Sequence, residues 1–286
     1  SNREIKSATG QYRGMRISCM SSGMGTDNIE IVLAEVMEIT DRPTFIRVGS
    51  SGALQPEIAL GDLIVSTGAV RLENTTDFYV HPGFPAVAHR DVVWALETAC
   101  RDGGHPYHVG LTATASGFFA PQGRAMRTLP VRYPELADEL RRQRVANLEM
   151  ESSALFVLAH LAGLRSGTVC AAYAQRTDGT FLEGAAKEAA EARCIDAGLA
   201  GIHLLWQVDT EGGDQEPQSQ QRPQAGDDAS DHLAYAILDE AGVAVCLLHD
   251  RELVGALEQL VDLRAHGLLR DAQEILGTQS LIRAHQ

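Results

Sequence analysis

Phe45-Ile46-Arg47-Val48-Gly49-Ser50-Ser51-Gly52-Ala53 reads as a buried strand, Thr44 to Val48, that carries an arginine late in its run and ends in a Gly-Ser-Ser-Gly turn. A turn after a strand favours Gly and Ser on its own account. The arginine is harder to explain, because an unpaired charge inside an apolar run is costly to bury. Ligands of open parallel sheets collect beyond the carboxyl ends of the strands. At that place Arg47 supplies a planar fork and Ser50 a hydroxyl, and the glycines let backbone N–H groups approach closely. Together these suit a phosphate.

Outward from this segment, strands and helices alternate. Arg16 to Ser21 reads as a short strand, followed by Gly23-Met24-Gly25 and a helix in which Ile29, Val32, Leu33, Val36 and Met37 recur at three and four residues, capped by Thr26 or Asp27. Further strands are read at Leu63 to Val70, His108 to Thr114 and Gly167 to Tyr173. Helices are read at Asp91 to Arg101, Ser152 to Leu164, and Leu182 to about Leu205. Buried strand runs with interleaved helices indicate an α/β fold, a mostly parallel sheet covered on both faces. Gly23-Met24-Gly25 lacks the third glycine and the following acid of a dinucleotide turn, so a Rossmann cofactor site is rejected.

From Asp209 to Asp231 the composition shifts to Gly, Gln, Pro and acids, the pattern of a flexible linker. Beyond it, Ala234 to Leu238 and Val243 to Leu248 flank Glu240-Ala241-Gly242 like a hairpin, and Leu253, Leu257, Leu260, Val261 and Leu263 space out as an amphipathic helix. The expected division is a main domain at 1–208, a linker at 209–231 and a small appendage at 232–286, too short for a secure core of its own.

The formal net charge of −14 speaks against a nucleic-acid backbone or an anionic membrane as the main partner. Any anionic substrate must be captured by a few placed arginines. The apolar runs fall short of the roughly 20 residues of a membrane span. Five widely spaced cysteines fit neither a disulfide framework nor a zinc site, and point to a reducing, cytoplasmic setting. His81 and His89 lack ligand spacing and read as loop histidines.

Two further stretches carry chemistry. In Asn147-Leu148-Glu149-Met150-Glu151-Ser152-Ser153 the two acids flank a methionine at the mouth of an apolar helix. Residues two apart on an extended segment share a face, so Glu149 and Glu151 can look into one cavity, a carboxylate accepting two vicinal hydroxyls while the Met150 thioether packs on a sugar ring. The plainer reading is that acids at a helix start complement its dipole. In Ser116-Gly117-Phe118-Phe119-Ala120-Pro121-Gln122-Gly123-Arg124, Phe118 can stack a flat heterocycle, Gln122 matches an imide edge, and Arg124 neutralises charge on a ring oxygen.

In this ordered series the chain resembles the nucleoside phosphorylase family, and within it the uridine phosphorylases. The resemblance runs from Ser1-Asn2-Arg3-Glu4 through Ser21-Ser22-Gly23-Met24-Gly25, Arg47 to Ala53, Gly61-Asp62-Leu63-Ile64-Val65, Phe84-Pro85-Ala86-Val87-Ala88, Phe118 to Arg124, Glu149-Met150-Glu151-Ser152 and Gln175-Arg176-Thr177, covering about Ser1 to Leu205. It implies a phosphorylase-type mixed, mostly parallel sheet flanked by helices, and reversible phosphorolysis with inorganic phosphate as co-substrate and no other cofactor. By the same resemblance Arg47 and Ser50 would hold phosphate, joined by Arg3 from a neighbouring subunit. Met150 and Glu151 would bind ribose, and Phe118, Gln122, Arg124 and Arg176 the uracil. Glu4 would help hold a monovalent cation, potassium, at a dimer interface of a homo-oligomer, a hexamer by analogy. The family's Gly-Asp-Pro-x-Arg motif and an upstream histidine are not in this sequence, so an N-terminal segment is expected to precede the chain. Two rivals stand beside this reading. One is a purine-directed phosphorylase or nucleosidase using Asp178 as acid; the other is an inactive nucleoside-binding protein whose tail does the work.

Overall fold

A computed structural model of the chain describes residues 7–40, 42–211 and 234–238. The order of elements is β1 (Ser7–Tyr12), β2 (Met15–Ser21), α1 (Thr26–Ile39), β3 (Thr44–Ala53), β4 (Leu63–Leu72), β5 (Ala86–Val87), α2 (Arg90–Asp102), β6 (Tyr107–Ala115), α3 (Leu136–Arg142), β7 (Asn147–Glu149), α4 (Ser152–Leu161), β8 (Arg165–Gln175), α5 (Gly184–Glu211) and β9 (Ala234–Leu238). Arg13 and Gly14 close the β1–β2 hairpin with positive φ, the backbone that a two-residue turn requires.

The sheet is mixed. β3 runs parallel to β8 and β9, β2 to β9, β4 to β6, and β6 to β7, whereas β1–β2, β3–β7, β4–β5 and β4–β8 are antiparallel. Five of these strands form a ring: β3 pairs with β8, β8 with β4, β4 with β6, β6 with β7, and β7 returns to β3. Closure of this kind leaves no free edge at the centre of the molecule.

Helices cover both faces, each assigned by the alternation of side chains along the strands. Ile46 and Val48 of β3 join Leu63, Val65, Val169 and Ala171 against α2 and α5. Phe45, pointing the other way, packs with α1 and α4. The small residues of α5 bring it close to the sheet; a Cβ on Gly198 would stand 2.4 Å from a Val48 methyl. α4 is nearly all apolar, so it is buried on almost every side.

Several boundaries differ from those read in sequence. Gly49-Ser50-Ser51-Gly52 is strand, because β3 continues to Ala53 to pair with β7 and β8, and all ten of its residues are buried. α1 starts after Gly25 without a side-chain cap: the Thr26 hydroxyl bonds that of Thr75 instead. α4 ends at Leu161, where Gly163 turns the chain with positive φ. α5 continues to Glu211, and Asp209, expected in the linker, is ion-paired with Arg165 at 2.5 Å. Ala234–Leu238 lies parallel between β2 and β3. The proposed partner strand and helix of the tail, most of the linker, and Arg3 and Glu4 lie outside the described residues. The four cysteines described, Cys19, Cys100, Cys170 and Cys194, are buried. Among the described residues no helix is long and apolar enough to cross a membrane.

Candidate active site

The ends of β3, β7 and β8 and the loop after β6 surround a cavity of about 240 Å³, a little below the ~300–1,000 Å³ usual for drug-sized ligands and so suited to a smaller molecule. Ser50, Glu149, Met150 and Glu151 line it, as do Phe118, Gln122 and Arg124. Three sequence stretches read separately are thus gathered on one hollow.

Arg47 stands behind that lining and has no exposed surface. It alternates with Ile46 and Val48, so its side chain enters the face where α4 begins. There Nη2 donates to Glu151 Oε2 at 2.6 Å and lies 3.6 Å from Glu149 Oε2, while Nη1 donates to Cys170 Sγ. Its packing is tight enough to dictate a neighbour: a Cβ on Gly49 would meet the guanidinium at 2.8 Å. The buried charge therefore has a carboxylate counterpart, as burial demands.

The two acids have divided their tasks. Glu149 Oε2 accepts from the Glu151 and Ser152 backbone N–H groups and from the Ser152 hydroxyl, each at 2.9 Å, and Oε1 accepts from Thr114. Those are the orphan donors of a helix start, so for Glu149 the plain structural reading holds. Glu151 Oε1 accepts from Gly25 N–H at 2.6 Å and Oε2 from Arg47 and from Met150 N–H. Gly23-Met24-Gly25 thus does bind an anion, but the anion is the Glu151 side chain.

At the other end, Arg124 lies 4.3 Å over the Phe118 ring and 5.7 Å from that of Phe181. Among the described residues it has no carboxylate within 4.0 Å, and its Nε is buried without a hydrogen-bond partner. Burial, and then the like charge of Arg176, lowers its pKa. Gln122 is buried, and Arg176 clasps it, Nη2 donating to the Gln122 carbonyl at 2.9 Å and Nη1 to Oε1 at 3.3 Å. Arg176, like Arg47, sits behind a lining residue. Asp178 does not line the cavity; the Thr180 hydroxyl and N–H bind its carboxylate and lower its pKa.

Sequence reasoning missed Tyr173, Phe181, Leu182 and Lys187, which also line the cavity. Tyr173 is placed by a bulge: Ala172 pairs with Ser51 and Ala174 with Gly52, leaving Tyr173 as the extra residue of β8. No spacing in the sequence marks such a slip. Phe181 just precedes the helix read from Leu182, and its bridge to Ala174 folds it back over Arg124.

This arrangement has known counterparts. Residues 1–198 match the phosphorylase superfamily, and the chain belongs to it. It is 44% identical over 191 residues to a uridine phosphorylase of Thermococcus kodakarensis, covering 66% of this chain and 69% of that protein. A uridine phosphorylase of Haemophilus influenzae is 31% identical over 212 residues, 72% of this chain and 82% of its own length. A guanosine phosphorylase of Halorubrum lacusprofundi is 30% identical over 188 residues, 66% and 71% of the two chains. Among solved structures, a Trypanosoma brucei nucleoside phosphorylase described as showing uridine phosphorylase activity matches with a TM-score of 0.64 at 26% identity, over 71% of this chain and 84% of that one.

Proposed function

We propose that the chain is a uridine phosphorylase-like pentosyltransferase, cleaving uridine reversibly with phosphate to uracil and ribose 1-phosphate in pyrimidine salvage. The observation that carries this reading is Arg124: a cation stacked on an aromatic ring, without a carboxylate among the described residues, in the same cavity as Glu151. As phosphate attacks the anomeric carbon, the bond to the base breaks and its electron pair passes to the base. The sugar becomes cation-like and the base anion-like, so groups fixed at both ends stabilise the transition state. Arg124 and Gln122, the latter held by Arg176, receive the charge on the base. Glu151 takes the ribose hydroxyls, with Met150 against the ring. Ser50 and Arg47 take the phosphate, and this assigns a partner exchange: Arg47 gives up Glu151 to phosphate as the sugar hydroxyls claim the carboxylate.

The position of Asp178 supports a pyrimidine over a purine, since an acid held ionised outside the cavity is poorly placed to protonate a leaving base. Arg3 from a neighbouring subunit would complete the phosphate site, with Glu4 at a potassium ion between subunits of a cytoplasmic homo-oligomer, a hexamer by family analogy. Exposed Phe78, Tyr79 and Val87 offer apolar surface for such assembly. The main domain, linker and tail division stays part of this reading, with its first boundary moved past Glu211. Cleavage of uridine, measured with and without phosphate beside guanosine and adenosine, is the test. Phosphate-dependent uridine cleavage is expected; cleavage without phosphate, or faster cleavage of a purine nucleoside, would replace the assignment.

A further inference from the structure

The cavity holds a cation for which phosphorolysis of plain uridine has no task. Lys187, in the first turn of α5, lines it beside Tyr173 and Leu182, and its ammonium lies 5.4 Å from the centre of the Tyr173 ring. The bulge in β8 sets that ring in the wall, where it is 7% exposed, and gives the ammonium an aromatic seat. Among the described residues Lys187 forms no ion pair within 4.0 Å. Neither Glu188, its neighbour in sequence, nor Glu191, one turn on, lines the cavity, and burial pushes the Glu191 carboxyl up to about 7 against the pull of Lys187. At neutral pH it balances only part of the charge. Set in the cavity wall, this half-buried ammonium is placed to meet an anionic group of a ligand there.

The chemistry of the base says where the acceptor sits. Gln122, Arg124 and Arg176 already serve an imide edge, its N–H and two flanking oxygens. The remaining edge of a pyrimidine is C5–C6, and C6 adjoins the glycosidic nitrogen. In uracil C5 bears only hydrogen, which offers an ammonium nothing. We propose that Lys187, seated on Tyr173, forms a subsite for a carboxylate carried at C5 of the pyrimidine, so that the enzyme takes 5-carboxypyrimidine nucleosides in preference to their 5-methyl counterparts. This rests on the pyrimidine reading of the base site, and extends it from a base to a substituent.

Affinities for 5-carboxyuracil and thymine, measured by calorimetry on the full chain, test it without requiring turnover. The parent should bind 5-carboxyuracil at least about tenfold more tightly than thymine, Lys187→Met should lose that preference, and Lys187→Arg should keep it. No preference in the parent overturns the proposal, as does a preference that survives Lys187→Met, which would assign the carboxylate to Arg124 or Arg176. Uridine cleavage by the parent is followed in parallel. If uridine is not cleaved while the preference stands, the catalytic reading fails and the subsite survives; cleavage without the preference sinks the subsite alone.

Discussion

Replacing Glu151 with glutamine should destabilise the empty protein, apart from any effect on turnover. One Glu151 oxygen accepts from Gly25 N–H at 2.6 Å, and the other from Arg47 Nη2 at 2.6 Å and Met150 N–H at 3.1 Å. Glutamine has a single oxygen, so in either orientation its NH2 faces a donor. Arg47, wholly buried, also loses its nearest described countercharge, while Glu149 stands 3.6 Å away and already accepts from the start of α4. Removing one member of a buried pair costs about 3–5 kcal/mol; the remaining carboxylate brings the expectation to about 2–3 kcal/mol. For a domain of this size that is a fall in Tm of about 4–12 °C. Urea and thermal unfolding, at fixed protein concentration and without phosphate or nucleoside, give the measurement. If Glu151→Gln unfolds within about 0.5 kcal/mol of the parent, an ordinary surface-substitution effect, the Arg47–Glu151 pair does not hold the empty site and the partner-exchange step loses its basis.

Arg124→Ala should lower kcat/KM for uridine about a hundredfold or more, roughly 3 kcal/mol of transition-state stabilisation, with unfolding little changed; a loss confined to stability would refute its role at the base. Gly49→Ala drives a methyl into the Arg47 guanidinium and should cost about 1–3 kcal/mol together with phosphate affinity, read by unfolding and phosphate titration. Because burial raises the Glu191 carboxyl from 4.5 to about 7, its ionisation opposes folding, and the penalty grows as pH rises from about 4.5 through 7. Glu191→Gln should therefore raise Tm at pH 8 and match the parent near pH 4.5; an offset independent of pH would contradict this. Truncation after Glu211 removes β9 and unpairs the facing edges of β2 and β3, so Tm should fall and light scattering rise on heating, whereas an unchanged melt would show that β9 adds nothing to the sheet.

The layered α/β order was legible because its signals are local. Ile29, Val32, Leu33 and Val36 repeat at helical spacing, and every one is buried. Arg47 stood out as a charge in an apolar run, and Glu151 as an acid at a helix mouth. What the sequence hid was which of them meet. Nothing near Arg47 announces Cys170, and nothing near Gly25 announces Glu151, 126 residues away. Strand β7 is three residues long, too short for periodicity to register, yet it closes the ring. Glu149 and Glu151 look equivalent in sequence. Their roles separate only when Thr114, Ser152 and the first N–H groups of α4 claim Glu149, leaving Glu151 to Gly25 and Arg47.

The closed ring of strands also dictates an order of assembly. β4 and β6 pair across a short helical crossover and can meet early, but Arg47 on β3 meets Cys170 on β8 across 123 residues of chain. Contacts so distant in sequence repay their loop-closure entropy late, and folds that depend on them fold slowly. During synthesis, β3 waits for the Glu151 carboxylate while about a hundred residues are added. Both its carboxylate partner and its final strand neighbour arrive near the end of that interval, so a partly made chain has no cavity at all. Substitutions along the β3–β8 seam should thus act mainly on the unfolding rate, and those between β4 and β6 more on the refolding rate.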